Sequence, residues 1–105
     1  MDPTQDPIVQ MFSREAKRRI GKRLRGITLF GSRARGDARE TSDYDMLVIV
    51  DKKTPDVRAK LLDIEVEILD RYDALVACVL RTDGEWERSR EFPLGKNIER
   101  EGIRL

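Results

Sequence analysis

Asp43 and Asp45 stand one residue apart at the head of the apolar run "MLVIV" (46–50), and a Gly31-Ser32 corner lies a short polar stretch before them. Side chains alternate across a strand, so the two carboxylates face the same way, ~7 Å apart along the chain, with Tyr44 on the other face. Like charges at the edge of a core repel each other and are costly to desolvate. A divalent cation converts that cost into affinity. Oxygen donors without imidazole or thiolate favour magnesium or manganese over zinc, and magnesium usually completes its shell with substrate phosphates. The corner supplies the other half of such a site. A glycine at a strand end lets backbone approach a ligand closely, and a serine opening a turn offers a hydroxyl and N–H groups to an anion. Arg33 and Arg35 stand near enough to neutralise phosphates. Each part is commonplace alone: an Asp-x-Asp pair is ordinarily solvated charge, and Gly-Ser is ordinarily a turn. Their junction with two buried strands is what points to chemistry.

Those strands and their supports can be read from periodicity. After Pro7, the residues Ile8, Phe12, Ala16 and Ile20 recur every four positions and predict a helix whose outer face carries Arg14, Lys17, Arg18, Lys22 and Arg23. Gly21 and Gly26 mark its exit, and "ITLF" (27–30) reads as a short buried strand. Residues 31–42 read as loop with at most one helical turn. "DYDMLVIV" (43–50) is the clearest strand, apolar on both faces as a central strand should be. Thr54-Pro55 is an N-cap followed by proline at the first helical position, opening a helix along Val57, Leu61, Ile64 and Ile68 to about Asp70. "ALVACVL" (74–80) is another buried strand. Thr82 with Glu85 fits a capping box for a short helix carrying Trp86. Pro93 ends it, and the last residues form an amphipathic turn or helix ending near Gly102. The fold class is α/β (α+β): a small mixed sheet with helices mainly on one face.

A chain of 105 residues fits one domain, 1–105, with residues 1–6 as a loose amino terminus. Its 21 basic and 20 acidic residues nearly cancel, which disfavours broad nucleic-acid binding. The basic run from Arg14 to Arg25 reads first as a solvated helix face. The lone cysteine, Cys78, excludes an internal disulfide and reads as a small core side chain. No apolar run approaches a membrane span and no signal peptide opens the chain, so the expected location is the cytoplasm. There is no histidine, which removes Ser-His-Asp and Cys-His mechanisms and most zinc sites. Catalysis would have to use carboxylates, lysine, hydroxyls or hard metal ions.

The spacing Gly31-Ser32, ten residues, then Asp43-Tyr44-Asp45 resembles the signature of the DNA polymerase beta nucleotidyltransferase superfamily, and "LFGSRARGDARETSDYDMLVIV" is similar to its small stand-alone branch, the minimal nucleotidyltransferases. The resemblance implies the polymerase-beta-like fold and a nucleoside triphosphate, usually ATP, held at Gly31 and Ser32 with Arg33 and Arg35 beside it. It implies two magnesium ions at Asp43 and Asp45, and transfer of AMP to an acceptor hydroxyl. It further implies a small helical partner of the HEPN type, in a toxin–antitoxin pair, as acceptor. The family's third carboxylate belongs on the next strand, yet "ALVACVL" contains none. Asp73, just before it and of the right parity, is the nearest candidate; the plain alternative is a loop residue entering the strand. The rival function is a catalytically degenerate module that acts by binding its partner. The acceptor, the base preference and the oligomeric state stay open at this level.

Overall fold

The computed structural model describes residues 2–105. Helix α1 (Pro7–Ile20) is opened by Asp6, whose carboxylate accepts from Ile8 N–H, and by a proline at its first position. Strand β1 (Leu24–Phe30) leads into one turn of helix, α2 (Ser32–Arg35). Strand β2 (Tyr44–Val50) follows, and α3 (Pro55–Tyr72) crosses over to β3 (Val76–Thr82). Two short helices, α4 (Asp83–Ser89) and α5 (Pro93–Glu101), precede the two-residue strand β4 (Ile103–Arg104). The sheet order is β3-β2-β1-β4: β1 is antiparallel to β2 and β4, and β2 is parallel to β3. A parallel pair requires a crossover, and the 18-residue α3 is that crossover.

Alternation along β2 divides the structure. Tyr44, Met46, Val48 and Val50 are all buried on one face, where α1 and α3 cover them with Phe12, Ala16, Ile64 and Ile68. Burial of each large side chain there stabilises the fold by about 1.5–3 kcal/mol relative to exposure. On the other face lie Asp45, Leu47 and Ile49, with α4 and α5 closing only the end away from Asp45. The mixed sheet with its two long helices on one face is the architecture expected from the sequence.

Boundaries differ in informative places. Gly26 lies inside β1, at an irregularity where the pairing jumps from Leu24 opposite Val50 to Gly26 opposite Ile49. Helix α3 runs on to Tyr72, and Asp73 closes it in the left-handed region at φ 53°. This delays β3 to Val76 and leaves Ala74 and Leu75 outside it, while parallel pairing with Ile49 and Val50 extends it through Arg81 and Thr82. The Thr82–Glu85 capping box forms reciprocally, as its spacing predicts. Pro93 opens α5 rather than merely ending a helix, and β4 has no sequence signal. The amino terminus, expected loose, is tied in from Asp2: a 3-10 turn spans Pro3–Gln5 and Asp6 reaches across to Tyr44. Among the described residues no helix is long and apolar enough to cross a membrane.

Candidate active site

Gly31 closes β1 with φ 76° and ψ −159°, a conformation that side-chain-bearing residues rarely adopt. A Cβ built there would overlap the Oδ2 oxygen of Asp45. The glycine is therefore required twice, by backbone geometry and by the carboxylate that fills the space a side chain would take. The chain turns immediately into α2, with Ala34 and Arg35 N–H both donating to Gly31 O at 3.1 Å. The first N–H groups of such a turn have no partner within it, so the corner presents donors beside the Asp45 carboxylate.

Asp45 is half-buried in the row Phe30–Asp45–Ala77 across three strands. Its carboxyl is pushed above the usual range, first by burial and second by the charge of Asp43, while Arg35 opposes both. Asp43 itself is exposed and immediately precedes the strand. The two carboxylates thus feel each other, as their spacing predicts. Their oxygens, the crowding between them and the side-chain-free corner at Gly31 fit a hard divalent ion. The sequence therefore brings together Gly31, Ser32, Asp43 and Asp45 at the end of the β1–β2 hairpin.

The arginines are engaged differently from the expectation of free phosphate ligands. Arg33 donates to Ser42 O at 2.9 and 3.2 Å and to Glu40 O at 3.1 Å, and its guanidinium stacks 4.3 Å from the Tyr44 ring centroid. Its donors pin the loop that delivers Asp43. Arg35 lies nearer the carboxylates and bonds Asp37 at 3.3 Å and Glu101 at 3.2 Å. Tyr44 is buried between the two aspartates in sequence, and its hydroxyl donates to Asp6 Oδ2 at 2.5 Å. Burial, then the Asp6 bond, pushes that phenol up to about 12. Asp6 and Tyr44 thus fix the pleat on which Asp43 and Asp45 sit. Asp6 is legible as a cap before Pro7, but nothing in the sequence announces the second bond.

Asp73 is exposed at the end of α3, three residues before β3 begins. The β3 residue paired with Asp45 is Ala77, and Leu75 O accepts from Tyr44 N–H at 2.9 Å. Among the described residues no three histidine, cysteine, aspartate or glutamate side chains are gathered to hold a metal. Cys78 points to the α3 side, where burial and Glu65 push its thiol up to about 12, so it stays protonated and inert. A cavity of about 570 Å³ lies further along the same face, between Thr28, Ile49, Trp86, Arg90 and Arg104. The carboxylates stand outside it, on an open shelf.

A glycine corner ending one strand, a carboxylate pair opening its antiparallel neighbour and two helices behind the sheet make the nucleotidyltransferase fold. The nucleotidyltransferase domain family matches residues 9–103, and the chain belongs to that family. A protein of Methanocaldococcus jannaschii named "putative protein adenylyltransferase" is 40% identical over 76 residues, covering 70% of this chain and 52% of its own length. The chain thus spans about half of that relative. A second M. jannaschii protein of the same name is 26% identical over 98 residues, 93% of this chain and 94% of the relative. Among solved structures, a toxin–antitoxin with AMP-PNP shares the fold at TM-score 0.62 and 20% identity, over 89% of this chain and 68% of that one.

Proposed function

We propose that this protein transfers AMP from ATP to a hydroxyl on an acceptor protein, using Asp43 and Asp45 to hold magnesium. The hydroxyl oxygen bonds the α-phosphorus as the bond from that phosphorus to the β-phosphate oxygen breaks and pyrophosphate leaves. The observation that carries this reading is the fit of the Asp45 carboxylate into the space a side chain at Gly31 would occupy. It sets Asp45 directly against the Gly31 corner, which supports a shared site for phosphate and metal. The relatives named as protein adenylyltransferases support a protein as acceptor. A toxin–antitoxin neighbour supports a paired partner, for which a small helical protein of the HEPN type is the candidate.

The chain's own groups divide the work. N–H groups at Ser32 and Arg33, with the Ser32 hydroxyl, receive phosphate oxygens, and Arg35 adds positive charge on the same side. Arg33 and Tyr44 hold the loop so that Asp43 meets Asp45. Magnesium, when bound, would supply charge neutralisation to the phosphates and to the attacking and leaving oxygens. Asp73 is the candidate third carboxylate, the group that would help the acceptor hydroxyl lose its proton. One observation favours a second reading, a degenerate module that acts by binding alone: the β3 position beside Asp45 is Ala77.

Purified protein incubated with labelled ATP, magnesium and its co-purifying partner, then analysed by intact mass, decides between them. The transfer reading expects the partner to gain one AMP, and Asp43→Asn and Asp45→Asn each to abolish the gain without unfolding the chain. Asp73→Asn should leave ATP binding nearly intact while transfer falls at least about a hundredfold. Tight partner binding with no added mass would give the function to the binding module.

A further inference from the structure

Strand β3 is an edge of the sheet, and on its free side the Arg81 side chain meets only Leu80 O among the described residues. Natural edges are blunted by lysine, proline, bulges or a covering element. Strand β3 (Val76–Thr82) contains no lysine or proline, and its pairing with β2 is continuous. Leu75 O accepts from Tyr44 N–H, so alternate residues Leu75, Ala77 and Val79 turn their backbone groups inward to β2. The N–H and C=O groups of Val76, Cys78 and Leu80 therefore turn outward along the edge.

The exposed apolar surface gathers around this same edge. Among the described residues the large hydrophobics classed as exposed are Leu62, Val66, Leu69, Leu75, Phe92 and Leu94, each 41% to 65% accessible. On α3, Glu67 turns toward α1 through Arg19 at 2.6 Å, whereas Glu65 is close enough to Cys78 to raise its thiol. Leu62 and Leu69 continue the helix surface beyond Glu65, on the β3 side, and Val66 lies on the outer face of the helix. On the opposite sheet face, Phe92 and Leu94 share a 200 Å³ cavity with Val79 and Arg81. These side chains expose on the order of 500 Å² of apolar surface, at the upper end of what monomers leave uncovered and a large part of the ~800 Å² per partner in a standard interface.

We infer that two copies of this chain pair through β3, antiparallel about a two-fold axis normal to the sheet, to form one continuous eight-stranded sheet. An edge strand selects a strand as its occupant, and a two-fold axis makes every donor on one copy meet an acceptor on the other. Charge sets the register. Centring the axis on Ala77 carries Arg81 toward the entry of β3 on the second copy, where Asp73 closes α3, twice per dimer. Centring it on Cys78 would instead carry Asp83, the first residue of α4, toward Asp73, two like charges. Among the described residues Arg81 has no carboxylate at salt-bridge distance within its own chain; it donates to Leu80 O at 2.8 Å. The Ala77-centred register also makes hydrogen-bonded pairs of Val76 and Cys78, the residues whose backbone groups face outward. The same axis turns both Asp45 carboxylates to one face, about three strand spacings or ~14 Å apart. The strand pairing does not depend on which reaction the two Asp45 carboxylates serve, although its Arg81 contact would engage Asp73, the candidate third carboxylate.

Sedimentation of the purified full chain tests this. The wild type is expected as a dimer at tens of micromolar, and Leu69→Glu should raise the dissociation constant at least ~100-fold by burying a charge on each copy, with unchanged helical circular dichroism. In a Cys78→Ala background, Ala77→Cys should cross-link to itself under mild oxidation, because directly opposed residues of a non-hydrogen-bonded pair lie ~4.5 Å apart, within disulfide reach. A wild type that stays monomeric at 100 µM overturns the proposal. So does a dimer that neither responds to Leu69→Glu nor cross-links through position 77. A monomer whose co-purifying partner is lost on Leu69→Glu gives the edge to that partner and also overturns self-pairing.

Discussion

The two faces of strand β2 are built to opposite rules. Met46, Val48 and Val50 are fully buried in one cluster with side chains of α1, α3 and the neighbouring strands. One residue out of phase, Asp45 is half-buried with a like charge beside it and a glycine where a side chain would relieve nothing. The first face is filled along its whole length; on the second, Leu47 is buried as well, and the end at Asp45 is left electrostatically uncomfortable. A fold that keeps such discomfort must support it from behind, and the hydrogen bond of Tyr44 to Asp6, with the Arg33 guanidinium stacked on its ring, provides that support. The candidate chemistry is therefore confined to the Asp45 end of one face of a single strand.

Substitutions can break or sharpen that contrast. The largest effect should come from Gly31→Val, which strains the positive φ and collides with Asp45. Magnesium-dependent ATP binding should vanish in titration calorimetry, and unchanged affinity would remove the corner from the site. On the sealed face, Met46→Ala should cost about 2–5 kcal/mol in urea denaturation, the range for emptying a buried site. The folded fraction should still bind ATP; lost affinity there would mean that the two faces are not independent. The smallest effect distinguishes the faces by sign. Asp45→Asn removes a carboxyl whose folded-state value is raised, so ionised Asp45 opposes folding once pH exceeds that value. The variant should melt about 1–3 °C higher at pH 7 without metal. The advantage should shrink as pH falls through the raised value and disappear below the ordinary aspartate range. Equal or lower stability at pH 7 would show that the pair is not crowded.

Much of this plan was visible in residue order because the signals were local. The pairing of Thr54 with Pro55, the Thr82–Glu85 box and the alternation through Asp43, Tyr44 and Asp45 each act within a few residues. What escaped depends on register or on distant partners. The hydrophobic run "ALVACVL" suggests a strand from Ala74, but Asp73 in the left-handed region lets α3 continue to Tyr72 and shifts β3 along. That shift decides that Ala77, and no carboxylate, faces Asp45. Arg33, expected beside the phosphates by proximity, also donates to Ser42 O and Glu40 O, bonds that residue order alone does not announce. Strand β4 is two residues long and exists only because Thr28 and Leu29 are there to pair with it.

The antiparallel pairing of β1 with β2 has a kinetic meaning. Every group assigned to the corner and the carboxylate pair lies in that one hairpin or its connecting loop, whereas β3 can join only after α3 has crossed behind the sheet. Contacts of short sequence separation close early, and a parallel strand added through a long crossover closes late. If the hairpin is formed in the folding transition state, ligand bound there would mainly speed refolding, and the rate of unfolding would report instead on how firmly α3 and β3 are docked.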